Sequence, residues 1–122
     1  MALQAWSYFG DENTNEIVVN GVSGKKPIAV TVLGKRFSTE SWRDVLTNTL
    51  DAIAEHDSEM FEKVAEEYPR FVYQVSKSDR ERKLRNGYFV YINLSANDVH
   101  KICLQVIDTA GLTSDDWVIE TQ

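Results

Sequence analysis

The segment 88–122 constrains the fold more than any other, because its pattern indicates a strand, a helix and a second strand. Ser95 is a good helix N-cap, and Asp98 at the third helical position gives an acidic variant of the capping box. Gly111 suits the left-handed residue that ends many helices. Between them, apolar residues repeat with helical spacing on one face: Val99, Ile102, Cys103, Val106, Ile107 and Ala110. We therefore predict a strand before Ser95, a capped helix, and a strand after Gly111.

The preceding sequence predicts a hairpin and a pair of helices. Gly34 suits the first central position of a type II′ hairpin turn, and Ser38 or Thr39 can cap the helix that follows. Asp57 can cap a second helix, which Pro69 ends. The predicted elements are a hairpin at about 27–38, helices at about 40–55 and 58–67, strands at 71–75, 88–93 and 116–120, and a polar loop at 76–86.

This order of elements predicts the α+β class. Strands and helices intermix as β-hairpin, helix pair, β, long loop, β, helix, β. The simplest arrangement is a two-layer fold, with helices on one face of a mainly antiparallel sheet. Strands 71–75 and 88–93 can pair as an antiparallel hairpin with a long tip. We assign 27–122 to a single α+β domain, and 1–26 to an N-terminal segment with a candidate edge strand and a linker.

The composition argues against some classes of function. The chain has 122 residues and a formal net charge of -6. A nucleic-acid or anionic membrane surface repels such a chain in general, although a local basic patch can override the average. Cys103 has no partner for a disulfide, which is consistent with a reducing cytosol. With no secretory signal and no apolar run of about 20 residues, we expect a cytoplasmic protein that does not bind membranes.

Charge is unevenly distributed along the chain, and this is the clearest functional signal. Segment 40–67 carries nine acids and two bases, whereas 77–85 carries five bases and two acids. Aromatic residues flank this basic loop on both sides: Phe71, Tyr73, Tyr88, Phe89 and Tyr91. Basic loops beside exposed aromatic residues can hold phosphates and stack bases.

We therefore predict a contact for nucleic acid or another anion in the 76–88 loop. The candidate residues are Lys77, Arg80, Arg82, Lys83, Arg85 and Tyr88. The alternative is a solvated hairpin tip whose arginines pair with the acidic helices of the chain itself.

Catalytic and metal-binding patterns are weak. His56 lies among carboxylates at the helix break, and His100 lies three residues before Cys103 on the capped helix. This spacing also turns Cys103 towards the apolar face, where a thiol is usually an inert small hydrophobe. Two isolated histidines do not supply the converging ligands that a metal needs. We predict no cofactor, no metal and no catalytic residues.

Four pieces of the sequence are distinctive together: 41–46 (SWRDVL), 60–64 (MFEKV), 91–99 (YINLSANDV) and the pair Gly111-Leu112. They resemble a small module at the C-terminal ends of bacterial restriction-type and other defence-associated proteins. The resemblance implies an accessory domain of undefined function that follows a larger catalytic or ATPase part. It offers no catalytic residues to assign.

These observations lead to a non-catalytic accessory or recognition module as the main hypothesis. The expected partner is a protein, a larger host polypeptide, or nucleic acid contacted through the 76–88 loop, in a bacterial or phage defence setting. One alternative is a small enzyme that uses His56 or His100 with nearby carboxylates. Another is a structural dimerisation module, so a homodimer is compatible with the sequence.

Overall fold

The computed structural model of the protein describes residues 24–122. Its elements are β1 (Pro27–Val32), β2 (Lys35–Ser38), α1 (Trp42–His56), α2 (Ser58–Glu67), β3 (Val72–Tyr73), β4 (Glu81–Lys83), β5 (Phe89–Tyr91), α3 (Ala96–Thr109) and β6 (Trp117–Thr121), with a 3₁₀ turn at Ser114–Asp116. The predicted α+β class is confirmed. The candidate edge strand in 1–26 lies outside the described residues.

The strands form two antiparallel sheets of three strands each. Their orders are β2-β1-β6 and β3-β5-β4. The predicted antiparallel pairing is present, but the strands divide between two sheets where one was expected. The division arises because α3 separates β5 from β6, and β6 returns to pair with β1. The predicted pairing of β3 with β5 is confirmed, with Val72 opposite Val90.

The hairpin turn differs from the prediction by one position. Val32 pairs with Lys35, so the two-residue loop is Leu33-Gly34. Both residues have positive φ, 53° and 81°, as a type I′ turn requires. The type II′ assignment with Gly34 first is therefore wrong. Leu33 adopts a backbone conformation that costs free energy, and its half-buried side chain packs against the core.

Two of the three predicted helix N-caps are confirmed, and the N-cap of α1 lies at a different residue from the one predicted. Asp57 caps α2, with its Oδ1 accepting from the amide of Glu59 at 2.9 Å. Ser95 caps α3 by accepting from the Asp98 amide at 3.1 Å. The cap of α1 is Ser41, so the prediction of Ser38 or Thr39 is wrong. Both residues belong to the end of the hairpin, where the Thr39 amide donates to the Ile28 carbonyl at 2.8 Å.

Strand β4 lies inside the segment predicted to be a polar loop. Its residues Glu81, Arg82 and Lys83 pair with Tyr91, Val90 and Phe89 of β5. A strand of three charged residues shows no apolar alternation, which is why the sequence pattern did not reveal it. Its position makes β5 the central strand of the second sheet.

The core lies between the helices and the inner faces of both sheets. Its fully buried members come from every layer: Val30, Val32, Val45, Leu46, Leu50, Ile53, Phe61, Val64, Val90, Val99 and Val106. One polar contact crosses it, because the Trp117 indole donates to the Thr49 hydroxyl at 3.0 Å. That hydroxyl donates in turn to the Val45 carbonyl at 2.7 Å, so both buried groups are satisfied.

Candidate nucleic-acid interface

The first part of the 76–88 loop is organised by the carboxylate of Glu81. It accepts hydrogen bonds from the amides of Lys77 and Ser78 at 3.0 and 3.1 Å, and from the Ser76 hydroxyl. The Tyr73 hydroxyl donates to the same carboxylate at 3.0 Å. Desolvation opposes ionisation of Glu81, but these hydrogen bonds outweigh it and lower its pKa. The acid therefore fixes the loop on the sheet.

Two of the predicted basic residues are engaged with acids of α1. Arg82 Nη1 lies 3.1 Å from Asp44 Oδ1, and Arg85 Nε lies 3.9 Å from Asp51 Oδ2. The Arg85 amide also donates to Asp51 Oδ1 at 3.0 Å. Burial raises the pKa of Asp44, but hydrogen bonds from the Glu40 amide and from Arg82, with the charge of Arg82, lower it overall. For these two arginines, pairing with the acidic helix is confirmed.

Lys77 and Tyr88 also have partners within the fold. The Lys77 Nζ lies 4.4 Å from the centre of the Tyr73 ring, a cation–π contact. The Tyr88 ring meets Phe61 edge-on at 4.9 Å between centroids, and its hydroxyl accepts from Gln74 at 3.1 Å. Tyr88 is thus turned towards the core, and its ring is not on the outer surface of the sheet.

Arg80 behaves differently, because its guanidinium makes no ion pair with any residue of 24–122. It lines a surface depression of about 270 Å³ together with Arg43, Asp79, Ile92 and Asn93. Arg43, in the first turn of α1, likewise forms no ion pair within the described chain. We call this depression the arginine pocket. Two arginines and one aspartate line it, so the formal charge of its lining is positive.

The outer face of the second sheet carries aromatic rings, whereas Arg80, in register with Ile92, lies on the side that meets α1. Phe89 and Tyr91 point away from the buried Val90 that lies between them on β5. Neither ring belongs to the half-buried aromatic residues that pack on the core, which are Phe37, Trp42, Tyr68, Phe71 and Tyr88. Lys83 lies opposite Phe89 on this side of the sheet, and Tyr73 flanks it on β3. We call Phe89 and Tyr91 the aromatic face.

Only some residues of the arginine pocket and the aromatic face could be predicted from the sequence. Arg80 and Lys83 were candidates, and Phe89 and Tyr91 were noted as flanking aromatics, but Arg43 was counted within the acidic helix segment. Arg43 and Arg80 are far apart in sequence and meet only because β4 pairs with β5 and is anchored to α1. The absence of a partner carboxylate cannot be read from sequence. The alternation of Phe89 and Tyr91 with Val90, which places the two rings on one face of the strand, could have indicated the aromatic face.

The two histidines lie in different surroundings. His56 lines a shallow depression of about 250 Å³ with Lys35 and Glu55 at the end of α1. His100 lies between Trp42 and Trp117, at centroid distances of 6.3 and 5.7 Å. Since Trp42 begins α1 and His56 ends it, helix geometry places the histidines roughly 20 Å apart. Burial lowers the pKa of His100.

Cys103 is fully buried, and burial raises its pKa to about 12, although the Thr49 hydroxyl opposes this shift. Its thiol is therefore protonated at neutral pH, which disfavours nucleophilic attack. Among residues 24–122, no group of three or more His, Cys, Asp or Glu side chains is arranged to hold a metal ion.

Comparison of the chain with protein families, curated proteins and solved structures finds no significant match. None of the helices in the described part of the chain has the length and apolar character needed to cross a membrane.

Proposed function

We propose that the protein is a non-catalytic recognition module that binds nucleic acid through the arginine pocket. The observation that supports this most is the convergence of Arg43 and Arg80 on one depression without an ion pair inside 24–122. Guanidinium groups bind phosphate oxygens with two parallel hydrogen bonds, and two arginines without an ion pair around one depression favour an anionic partner. The defence-associated setting, with a larger host polypeptide, is part of the same proposal and rests on the sequence resemblance.

The overall acidity of the chain shapes how such binding would behave. A net charge of -6 repels a polyanion at long range, whereas the pocket attracts one phosphate locally. Affinity should therefore be modest and fall steeply with salt. Each phosphate contact contributes about 0.7 to the slope of log K against log salt for a single strand, and about 0.9 for a duplex.

The test is fluorescence anisotropy of labelled DNA against the protein over a series of salt concentrations. Arg43→Gln/Arg80→Gln should weaken binding and reduce the salt slope by roughly 0.7 to 1.8, one to two phosphate contacts. The matched control is Lys35→Gln/Lys63→Gln, which removes the same charge elsewhere. Lys35 contacts Glu55 near the opposite end of α1, and Lys63 is exposed on α2.

Equal losses in the arginine and lysine variants would show that only net charge matters, and would refute the pocket. Light scattering on the same samples reads the mass of the chain with and without DNA. A DNA-dependent increase that disappears at high salt supports the proposal. A constant dimer mass with no response to DNA would contradict it and favour an assembly role.

A further inference from the structure

We propose that the nucleic acid is single-stranded, with bases stacked on Phe89 and Tyr91 and a backbone phosphate in the arginine pocket. This inference rests on the proposed function and specifies its ligand. It follows from the position of the aromatic face relative to the pocket.

The two rings are not needed to fill the core. Val90 between them is fully buried, while Phe89 and Tyr91 are half-buried on the opposite side of β5. Tyr88, by contrast, packs against Phe61 on the core side. The exposed parts of Phe89 and Tyr91 offer apolar surface to a ligand, while Tyr73 packs beside Phe89 on the same face. Bases of any identity stack on such rings.

The aromatic face and the pocket lie on opposite sides of the second sheet and adjoin at Asn93. Along an extended strand, alternate residues lie on the same side and are separated by roughly 6.7 Å. Phe89 and Tyr91 follow this spacing, and Asn93, two residues beyond the end of β5, donates from its Nδ2 to the Tyr91 hydroxyl at 3.4 Å. Asn93 also lines the arginine pocket. A single strand that lies along β5 and passes Asn93 at the end of the sheet would therefore meet the two rings and then the arginine pocket.

The charges around the rings favour a phosphate backbone. Lys83 lies opposite Phe89 on β4, on the same side of the sheet. Glu81 lies opposite Tyr91, but its carboxylate is held by the amides of Lys77 and Ser78 and by two hydroxyl groups. Its negative charge is thus partly balanced by donors of the loop.

A duplex fits this surface poorly. Its bases are already stacked and paired, so rings on the face of a sheet reach only its backbone. Unpaired bases can turn onto aromatic side chains, which is how sheet surfaces commonly bind single strands. DNA and RNA present the same stacking chemistry here.

The experiment compares four labelled ligands of about 12 nucleotides, a length within the usual site size of such surfaces. They are a thymidine oligonucleotide, a uridine oligonucleotide, a duplex, and an abasic strand with the same number of phosphates. We expect at least one of the first two to bind about tenfold or more tightly than the duplex and the abasic strand. A preference between DNA and RNA identifies the source, and either preference supports stacking.

Variants then test the rings. Phe89→Leu and Tyr91→Leu should each weaken binding to the oligonucleotide by roughly 5- to 150-fold, whereas Tyr91→Phe, which keeps the ring, should stay within about twofold. Retention on heparin, which has charge but no bases, should not change in the leucine variants. Circular dichroism checks their folding, and the abasic comparison on the unaltered protein decides the question if a variant does not fold.

The two proposals can fail separately. If the oligonucleotide, duplex and abasic strand bind alike, and binding still requires Arg43 and Arg80, the single-strand inference is overturned and the proposed function stands. If none of the four ligands nor heparin binds at low salt, both are overturned. Displacement of the oligonucleotide by polyglutamate at equal charge concentration would indicate an acidic protein partner and would also overturn the inference.

Discussion

Arg80 and Arg82 lie two positions apart, yet the structure gives them opposite roles. Arg82 points inward, where its Nη1 lies 3.1 Å from Asp44 Oδ1 and 3.4 Å from Thr47 Oγ1. Arg80 lines the arginine pocket without an ion pair in the described residues. We therefore predict that Arg82→Gln lowers stability and leaves nucleic-acid binding unchanged, whereas Arg80→Gln does the reverse.

The expected loss of stability follows from the geometry of the pair. The side chains of Arg82 and Asp44 are 39% and 30% exposed, so water screens the interaction in part. Hydrogen bonds to charged groups contribute about 1.5–3 kcal/mol when protected, and fully exposed pairs about 0.2–1 kcal/mol. We expect about 1 kcal/mol for Arg82→Gln, equivalent to a decrease of about 4–8 °C in Tm for a domain of this size.

The expected loss of binding follows from the phosphate contact. One contact with a slope of about 0.7 corresponds to a five- to tenfold change in affinity between 1 M and about 0.05 M salt. Arg80→Gln should thus bind the oligonucleotide roughly five- to tenfold more weakly at low salt. Its Tm should stay within about 2 °C of the unaltered protein, since exposed substitutions without partners change little.

Thermal unfolding by circular dichroism and anisotropy titration on the same preparations measure both quantities. A double-mutant cycle of Arg82→Gln with Asp44→Asn isolates the pair, and its coupling should account for most of the stability loss. If Arg82→Gln unfolds at the unaltered Tm and weakens binding as much as Arg80→Gln, the division of roles is refuted. The same holds if Arg80→Gln loses stability without losing binding.

Three further predictions concern buried or half-buried side chains. Thr49→Val should lower the free energy of unfolding in urea by about 1–3 kcal/mol, because it leaves the Trp117 indole N–H without its acceptor. Thr49→Ser keeps the hydroxyl and should lower the free energy of unfolding less. Equal losses in the two variants would contradict this prediction. Cys103, with a pKa of about 12, should react with a thiol reagent at about pH 8 only after denaturation, and rapid labelling of the folded protein would refute its burial. Burial lowers the pKa of His100 in the folded protein, so as the pH falls this histidine is protonated first in the unfolded chain. The stability linked to His100 is therefore present above the ordinary histidine pKa of about 6.5 and is lost as the pH falls below it. Urea midpoints at about pH 7 and pH 5 should therefore differ less in His100→Gln than in the unaltered protein, and an identical difference would show that other groups cause the change.

Elements marked by local chemistry could be predicted from the sequence. The caps at Asp57 and Ser95 place side-chain acceptors at the first turn of a helix, and each is satisfied by residues two or three positions away. Gly111 adopts φ 79° at the end of α3, and the Leu112 amide donates back to the Ile107 carbonyl at 3.0 Å. These interactions are complete within a few residues, so a local pattern contains all the information they need.

Elements that depend on partners far away in the chain could not be predicted from the sequence. Strand β4 has a charged sequence, and it forms because β5 offers a free edge and because Asp44 lies beneath Arg82. The register that turns Arg82 inward also turns Glu81 and Lys83 outward. The same limit applies to the site, because Arg43 joins Arg80 only through this docking of β4 on α1.

The acidity of α1 and the basic loop are thus parts of one arrangement. Asp44 and Asp51 neutralise Arg82 and Arg85, and by doing so they hold the loop against the helix. The count of five bases in 77–85 therefore overstates the charge available to a ligand, since two of them are committed to the fold. The charge that remains for an anion is that of Arg80 and Arg43, which line one pocket near the end of β5. Phe89 and Tyr91 lie on the outer face of the same strand. In a chain with net charge -6, this local concentration is the condition under which a phosphate can bind at all.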